Sequence, residues 1–402
     1  MIEKFSVFLQ KYIYYVIGIY LFSLFVFDTC VQSTMQVVFN LTKISRYLCY
    51  LIFIVYSIMD TRKNKKITLK TIVFFLIAIL ITFFSKQKDY LLMILFLYTI
   101  KDLDYNKIIK ICLFIYAPSF FITVILSLLG IIPDWTYTRG SLIRHSLGFY
   151  YATSTMSIYL EIILMFFYVR KKSFKYFELL LLETINVFLY KYTDGRLGYI
   201  LITAVLIVMA LSKLKIFKDL VLKVHFIEIA KKLSFVLPIA LLLIMLFLDW
   251  GYHNNLEYAT DMDIALNKRV KWSHNAFMIY PITAFGNNIE WVGNGGQGYI
   301  DLENNEYNYV DSSYIRIIFD YGVIGMISIL YMYIKSLNKH INEKNYYLYI
   351  VLVFVLIWSF IEPYIFSVGR NIFIITCSFI LNEHIDILNK EKGKESNSIL
   401  EI

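Results

Sequence analysis

The sequence has few cysteines, and their placement argues against cross-linking. Its 402 residues include four, and each lies in or beside an apolar run: Cys30, Cys49, Cys112 and Cys377. None is paired with another in a polar loop, so a disulfide framework is not expected and the thiols are interpreted as small buried side chains. No group of His, Cys and carboxylate residues has the spacing of a metal site. We therefore expect no metal and no cofactor.

Charge is also scarce, and internal repeats are lacking. Only 17% of the residues are charged and 59% are hydrophobic, whereas soluble domains average about 45–50% apolar residues. The first apolar run, 12–27, has no small-residue cleavage site, so we expect it to remain as a helix. No internal repeat of the kind that marks alternating-access transporters is found. The composition predicts an all-α fold forming a single membrane domain over residues 1–402.

Apolar runs along the chain predict a polytopic integral membrane protein with about twelve transmembrane helices. The predicted spans are 12–28, 42–59, 69–84, 89–100, 109–130, 148–169, 177–191, 197–211, 233–249, 313–334, 346–361 and 370–383. Twelve crossings with both termini in the cytoplasm put 26 of the 39 Lys and Arg residues inside, as the positive-inside rule requires. The same topology leaves one large extracytoplasmic loop, 250–312, which is polar and is expected to form short helices and turns.

The two basic residue types are distributed oppositely in this topology. Of the lysines, 24 lie inside and 6 outside, whereas seven of the nine arginines lie outside: Arg46, Arg139, Arg144, Arg196, Arg269, Arg316 and Arg370. Topology alone disfavours outer arginines. Because a guanidinium grips phosphate or carboxylate through two parallel hydrogen bonds, these residues predict an anion-binding outer face. Pairing with outer acids or lipid headgroups is the alternative. The net charge of +9 therefore does not indicate nucleic-acid binding.

Several short motifs have residue types that could bind an anion or a metal or accept a proton. The segment 293–298 fits the dinucleotide pattern G-x-G-x-x-G, but no βαβ unit surrounds it, so it is interpreted as a flexible turn that could approach an anion. Asp102/Asp104 and Asp261/Asp263 are pairs of acids separated by one residue, a spacing too short and too common to predict a metal site. His145 and His274 each follow an arginine, which would favour a neutral imidazole able to accept a proton. Asp320 lies four residues after Arg316, as in a helix-internal ion pair.

Four of these segments resemble the O-antigen polymerase and ligase superfamily of membrane glycosyltransferases. They are Arg139–Phe149, the run Asp194-Gly195-Arg196-Leu197-Gly198, Arg269 with Trp272 before the glycine cluster, and Val310-Asp311-Ser312-Ser313-Tyr314 followed by Gly322 and Gly325. The likeness reaches from about residue 139 to residue 330. Where the ligase branch tends to have histidine, this chain has Asp311, as is common among polymerases. The resemblance is therefore closest to Wzy-like repeat-unit polymerases.

The resemblance implies transfer of a glycan from undecaprenyl pyrophosphate to a second lipid-linked repeat unit at the outer face of the cytoplasmic membrane. The leaving pyrophosphate would need fixed cations, for which Arg196 and Arg269 are the candidates. The acceptor hydroxyl would need a base, with Asp311 as first choice and His274 as second. Further residues are expected to bind substrate: Arg139, Arg144, His145, Arg316, Tyr314, Trp272, Gly295 and Gly298. The reaction would be metal-independent, with a chain-length regulator and a flippase as further partners.

Other functions remain open from the sequence. A ligase that moves finished glycan to another acceptor shares the scaffold and differs only in acceptor chemistry. A flippase or transporter of lipid-linked oligosaccharide would have charged residues along a path through the bilayer, whereas here the polar residues concentrate on the predicted outer side. A non-catalytic assembly partner is the remaining alternative.

Overall fold

The computed structural model describes residues 2–64, 67–215, 224–293 and 307–382. Within these ranges the chain is mostly helical. Its helices are α1 (Ile2–Phe27), α2 (Val31–Thr34), α3 (Gln36–Asn64), α4 (Leu69–Ser85), α5 (Asp89–Ile100), α6 (Tyr105–Leu128), α7 (Ala152–Arg170), α8 (Tyr176–Thr193), α9 (Arg196–Ser212), α10 (Val224–His253), α11 (Glu257–Ala265), α12 (Arg269–Ile279), α13 (Ser313–Asn342), α14 (Tyr346–Trp358) and the 3₁₀ helix Ile372–Leu381.

Five helices in the described part of the chain are long and apolar enough to cross a membrane. They are α3, α6, α7, α10 and α13, and each coincides with a predicted span. The other seven predicted spans fall on the apolar part of α1, on α4, α5, α8, α9 and α14, and on the 3₁₀ helix, all shorter than the five. A membrane protein is therefore supported, while the number of twelve crossings stays a prediction.

The helices differ in how much of their surface the protein itself covers. The apolar window of α7 is 83% buried, whereas that of α3 is only 17% buried. Large apolar side chains such as Leu41, Leu48 and Leu51 lie exposed on α3. Such a surface is unfavourable in water and favourable against lipid tails, so α7 occupies the centre of the bundle and α3 its lipid-facing rim.

One small β-hairpin interrupts the helices, which corrects the all-α prediction in detail. Strands β1 (Thr136–Arg139) and β2 (Leu142–His145) pair antiparallel, with Thr136 opposite His145. The turn contains Gly140 at φ +62°, a conformation that glycine adopts without steric cost. We call the end of the bundle that carries this pair of strands the hairpin end.

Helix α13 is bent at Gly322, which has φ +71° and ψ −179°. A non-helical segment, residues 283–287, runs against the bend and replaces the helical hydrogen bonds that are lost there. The N–H of Val323 donates to Thr283 O at 3.0 Å, and the N–H of Ile324 donates to Ala284 O at 3.1 Å. A Cβ atom at position 322 would lie 2.4 Å from the Ala284 carbonyl, so only glycine allows this approach. The first half of α13 is thereby aimed independently of the second.

The predicted large loop, 250–312, is helical over much of its described part. The last turn of α10 and the short helices α11 and α12 occupy it up to Ile279. Residues 280–293 then continue without helix. This agrees with the expectation of short helices and turns, and it brings α12 back onto the helix bundle.

Candidate functional site

Arg139, Asp194 and Arg196 form one charged group at the hairpin end. Asp194 follows α8 in the left-handed conformation, at φ 44°, and turns the chain into α9. Its carboxylate pairs with the Arg139 guanidinium, and its Oδ1 accepts from Arg196 Nε at 3.2 Å. Partial burial would raise the pKa of Asp194, but the two arginines outweigh it and hold that pKa below its usual value. The Arg196 side chain is 56% exposed and has room for another anion.

Arg144 is a buried guanidinium that makes no ion pair with any described residue. The residue is 5% exposed. Its Nε donates to Thr193 O at 2.8 Å, and its Nη1 lies 3.3 Å from the Tyr151 hydroxyl. Burial lowers the pKa of Arg144, because desolvation disfavours the charged form. A buried cation without an anionic partner is costly, so this position favours binding of an anion.

We call Arg139, Arg144, Asp194 and Arg196 the cationic cluster. It contains three guanidinium groups and one carboxylate, which gives a net charge of +2. Two close contacts with α7 hold the turn of this cluster against the bundle, because Cβ atoms at Gly195 and Gly198 would lie 2.7 and 2.8 Å from Met156 side-chain atoms. The glycines of the segment 194–198 thus permit close packing against α7.

Arg269, in contrast to Arg144, is surrounded by carboxyl groups and carbonyls. It is the first residue of α12 and is 8% exposed. Its Nε donates to Ile361 O at 2.7 Å and lies 3.4 Å from Asp311 Oδ2, while its Nη2 donates to Glu362 Oε1 at 3.2 Å. Nη1 donates to Leu266 O at 3.1 Å. The guanidinium is therefore largely occupied by protein partners.

Asp311 and Glu362 come together because the start of α13 is bound to the segment that follows α14. The Ser313 hydroxyl donates to Glu362 O at 2.5 Å and accepts from the Ile365 N–H at 3.1 Å. The Ser313 N–H donates to Ser359 O at 3.0 Å. We call Arg269, Asp311 and Glu362 the acidic cluster; with both acids ionised its net charge is −1.

Burial makes both acids of this cluster hard to ionise. It raises the pKa of Glu362 to about 8, since the side chain is almost fully buried and the Asp311 carboxylate adds to the effect of burial. Burial also raises the pKa of Asp311, although Arg269 and Arg316 oppose it. Asp311 is half-buried and has two guanidinium groups acting on it, so we assign the ionised form to Asp311 and the protonated form to Glu362 at neutral pH.

The two clusters adjoin each other. Arg139 Nη1 donates to Asn267 Oδ1 at 3.1 Å, and Asn267 lies two residues before Arg269. The ring of Tyr151 lies 5.4 Å from the Arg144 guanidinium, and its hydroxyl also acts electrostatically on Arg269. A surface rich in guanidinium thus borders one rich in carboxyl groups, with Tyr151 between them.

Aromatic side chains line the same region. Trp272 packs against Tyr307 with ring centres 4.4 Å apart. The Arg316 guanidinium lies 4.4 Å from the ring centre of Tyr309 and 4.9 Å from that of Trp291. Its Nε pairs with Asp320 Oδ2 at 3.2 Å, as the four-residue spacing predicted. Arg316 is therefore both paired and stacked, so it shapes the site more than it offers a free charge.

Some predicted site residues point elsewhere. His274 follows Arg269 by five residues, about 140° around the helix, and its Nδ1 binds Asp249 Oδ1 at 3.1 Å instead of facing Asp311. His145 binds Asp134 beneath the hairpin. Tyr314 is fully buried and its hydroxyl donates to Leu356 O at 3.2 Å, so it cannot stack on a sugar. Gly295 and Gly298 lie outside the described residues.

Glu362 and the tyrosines at positions 151, 307 and 309 lie in the site without having been predicted there from the sequence. Glu362 immediately follows the predicted span 346–361 and precedes Pro363, so an acid at the end of an apolar run was the available signal. The tyrosines carried no signal, because 34 tyrosines occur in the chain. Of the other outer arginines, Arg370 pairs with Asp28 at 2.8 Å and also acts electrostatically on Glu362, and Arg46 lies 4.5 Å from the Phe27 ring centre.

Within the described ranges, no group of three or more His, Cys, Asp or Glu side chains could hold a metal ion. Comparison of the chain with protein-family models, with curated proteins and with solved structures gives no match. The geometry of the two clusters is therefore the evidence that bears on function.

Proposed function

We propose that this protein is a membrane glycosyltransferase that polymerises undecaprenyl-pyrophosphate-linked oligosaccharide repeat units into a capsular or O-antigen-type polysaccharide. In this proposal the chain crosses the cytoplasmic membrane twelve times, both termini are cytoplasmic, and the hairpin end faces outward. Donor and acceptor are both lipid-linked and reach the hairpin end from the outer leaflet of the bilayer. No metal takes part.

The observation that carries the proposal is that a cluster with a net charge of +2 adjoins a cluster that holds an ionised carboxylate, Asp311. Displacement of pyrophosphate from an anomeric carbon develops negative charge on the leaving group, and fixed cations at that place lower the barrier. The cationic cluster supplies them: Arg144 has no acid partner among the residues that the structure describes, and Arg196 is open to solvent. An anion bound there would bring the cluster toward neutrality.

The acidic cluster suits the other half of the reaction. The acceptor hydroxyl must give up its proton as its oxygen attacks, and a carboxylate within reach can accept it. We assign this to Asp311. The glycosidic bond forms as the bond from the anomeric carbon to the pyrophosphate oxygen breaks, with inversion, and Asp311 takes the proton while undecaprenyl pyrophosphate departs.

This assignment changes the role proposed for Arg269. Its guanidinium is occupied by two carbonyls and two carboxyl groups. We therefore propose that Arg269 is a positioning residue that holds Asp311 and Glu362, and that the leaving pyrophosphate binds Arg144 and Arg196. Because Glu362 is protonated, the Arg269 guanidinium can balance the charge of Asp311 and donate a hydrogen bond to Glu362 with no net negative charge left in the cluster.

Two lipid-anchored substrates would also gain from being held in line. Bringing reacting groups together removes much of the entropic cost of a bimolecular step. Trp272 and Tyr307, packed together beside the acidic cluster, offer faces on which sugars could stack. A chain-length regulator and a flippase are the partners we propose for this activity.

The test is the length of surface glycan made by cells that carry single variants. With Arg144→Ala or Asp311→Asn, we expect single repeat units in place of long ladders on a gel, and restored ladders when the wild-type protein is supplied. Lys43→Ala, an exposed residue of α3, serves as the matched control and should leave ladders unchanged. Normal ladders in both site variants, at normal protein levels, would refute the proposal. A loss of all glycan, including single units, would favour a flippase.

A further inference from the structure

A cavity with several polar groups in its lining lies inside the bundle next to the acidic cluster, because the Arg370 guanidinium that lines it also acts on Glu362. It is a small cavity of about 10 Å³ between α7, the end of α14 and the start of the 3₁₀ helix. Its polar lining consists of Ser157, Glu161, Ser359, Tyr364, Arg370 and Asn371. None of these residues has a role in the reaction proposed above, so the cavity needs a separate explanation.

Glu161 brings an incompletely satisfied carboxyl group to this cavity. It lies in the middle of α7 and is 3% exposed. Its Oε1 accepts from the Ile372 N–H at 2.9 Å, but its Oε2 is buried and has no hydrogen-bond partner among the described residues. The guanidinium that lines the same cavity, Arg370, is already paired with Asp28 Oδ2 at 2.8 Å. Within the described ranges, Glu161 therefore has no cation of its own.

Asn371 brings a second unmatched acceptor. Its Nδ2 donates to the Tyr333 hydroxyl at 2.6 Å and to Ile365 O at 3.0 Å, and this pair of bonds fixes which end of the amide is which. The Oδ1 atom is therefore the acceptor, and it too is buried without a partner among the described residues. Two buried acceptors on one cavity require a donor, because unpaired buried polar groups are costly.

Charge and hydrogen bonding point to the same donor. Around the cavity, one guanidinium, that of Arg370, serves two carboxyl groups, those of Asp28 and Glu161. We propose that Glu161 is a proton-binding site inside the bundle, in which the protonated carboxyl donates to Asn371 Oδ1 directly or through one water. The added proton removes the excess negative charge and satisfies both acceptors at once.

The surroundings of Glu161 allow this proton to be held. The titratable and charged groups that act on it are Arg370 and Asp28, with Cys112 and Tyr116 facing it from α6 and Tyr364 from the far side of the cavity. Only Arg370 is cationic, and its pairing with Asp28 leaves the Glu161 carboxyl without a direct ion pair. A low-dielectric site of this kind holds a carboxyl in its neutral form.

Infrared spectroscopy of the purified protein in detergent or nanodiscs tests the proposal. We expect a C=O stretching band of a protonated carboxylic acid at pH 7 that is missing in Glu161→Gln and present in Glu183→Gln and in Glu362→Gln, the last of which removes the separate band of the protonated acid in the acidic cluster. Glu183 is the matched control, because both of its oxygens accept hydrogen bonds, from Thr203 and Asn186. The band should be the same in sodium and in choline chloride.

Glu161→Gln should also fold, because glutamine closely matches the shape and charge of the neutral acid. A melting temperature at or above that of the wild type is expected. A difference spectrum between wild type and Glu161→Gln that shows ionised carboxylate would overturn the proposal, as would a failure of Glu161→Gln to fold. A band that disappears when sodium is added would replace the proton with a bound cation. These readouts do not depend on glycan synthesis.

Discussion

Replacing Arg144 and, separately, Arg269 by glutamine should show that Arg144 serves activity and that Arg269 also serves stability. Arg144 is buried and has no acid partner in the described part of the chain, whereas Arg269 is buried between Asp311 and Glu362. If Arg144 is held ready for an anion, its loss should reduce activity and spare stability. Arg269→Gln is the matched comparison, since it should reduce both.

The magnitudes follow from the partners of each guanidinium. Arg144 donates to Thr193 O and to the Tyr151 hydroxyl, and glutamine can retain one of these bonds, so the loss is about 1 kcal/mol. Removal of an unpaired buried cation gives back some desolvation free energy, which offsets that loss. Arg269→Gln instead removes the ion pair with the ionised Asp311 and most of the buried hydrogen bonds to Glu362 and to the Ile361 and Leu266 carbonyls, and should cost about 3–5 kcal/mol. In activity, Arg144→Gln should lose about 10²–10³ in rate, as for removal of a charge-stabilising group.

Thermal unfolding in detergent and transfer of glycan between lipid-linked repeat units are the two assays. Arg144→Gln should melt at or near the wild-type temperature while its transfer rate falls, and Arg269→Gln should melt well below it. If Arg144→Gln melted as low as Arg269→Gln, the guanidinium would be structural and the anion site would have to lie elsewhere. Full activity of Arg144→Gln would refute the charge argument directly.

Three further predictions concern stability and the proton on the acidic cluster. Since the pKa of Glu362 is raised from 4.5 to about 8, the folded protein keeps a proton that the unfolded chain has lost, so this residue should make stability fall as pH rises between these values, by up to about 1.4 kcal/mol per pH unit. Glu362→Gln should reduce the slope of stability against pH in melting curves by that amount. Gly322→Ala should lower the free energy of unfolding by about 2–4 kcal/mol, because the new Cβ would meet the Ala284 carbonyl at a position with positive φ. Gly18→Ala is the control: its Cβ contacts would be 3.5 Å or longer, so its melting curve should be nearly that of the wild type. Asp311→Asn should remove transfer activity across pH 6–9 and lower the free energy of unfolding by no more than about 1–2 kcal/mol. A variant that kept normal rates would exclude Asp311 as the base.

Part of the candidate site was predictable because its signals are local. Arginines on the predicted outer side, the Asp194–Gly198 turn and the spacing of Arg316 and Asp320 are all visible within a few residues. The structure brings Arg139, Asp194 and Arg196 together and places Arg269 next to Asp311. Each of these residues had been named from its neighbours in the chain.

The partners of those residues were not predictable in the same way. Glu362 reaches Arg269 across 93 positions of sequence, and only the binding of Ser313 to the segment after α14 brings them together. His274 and Tyr314 were expected in the site, but the direction of a side chain around its helix depends on what that helix packs against. The bend at Gly322 likewise requires residues 283–287 to supply the missing hydrogen bonds.

Composition and hydrophobic runs determined that this chain is a helical membrane protein with arginines concentrated in a few segments, because burial in lipid demands long apolar helices whatever their arrangement. Only the tertiary structure decided which arginines keep a free charge. That distinction depends on whether a carboxylate from a distant segment neutralises each guanidinium, and Arg144 and Arg269 look alike until their neighbours are known.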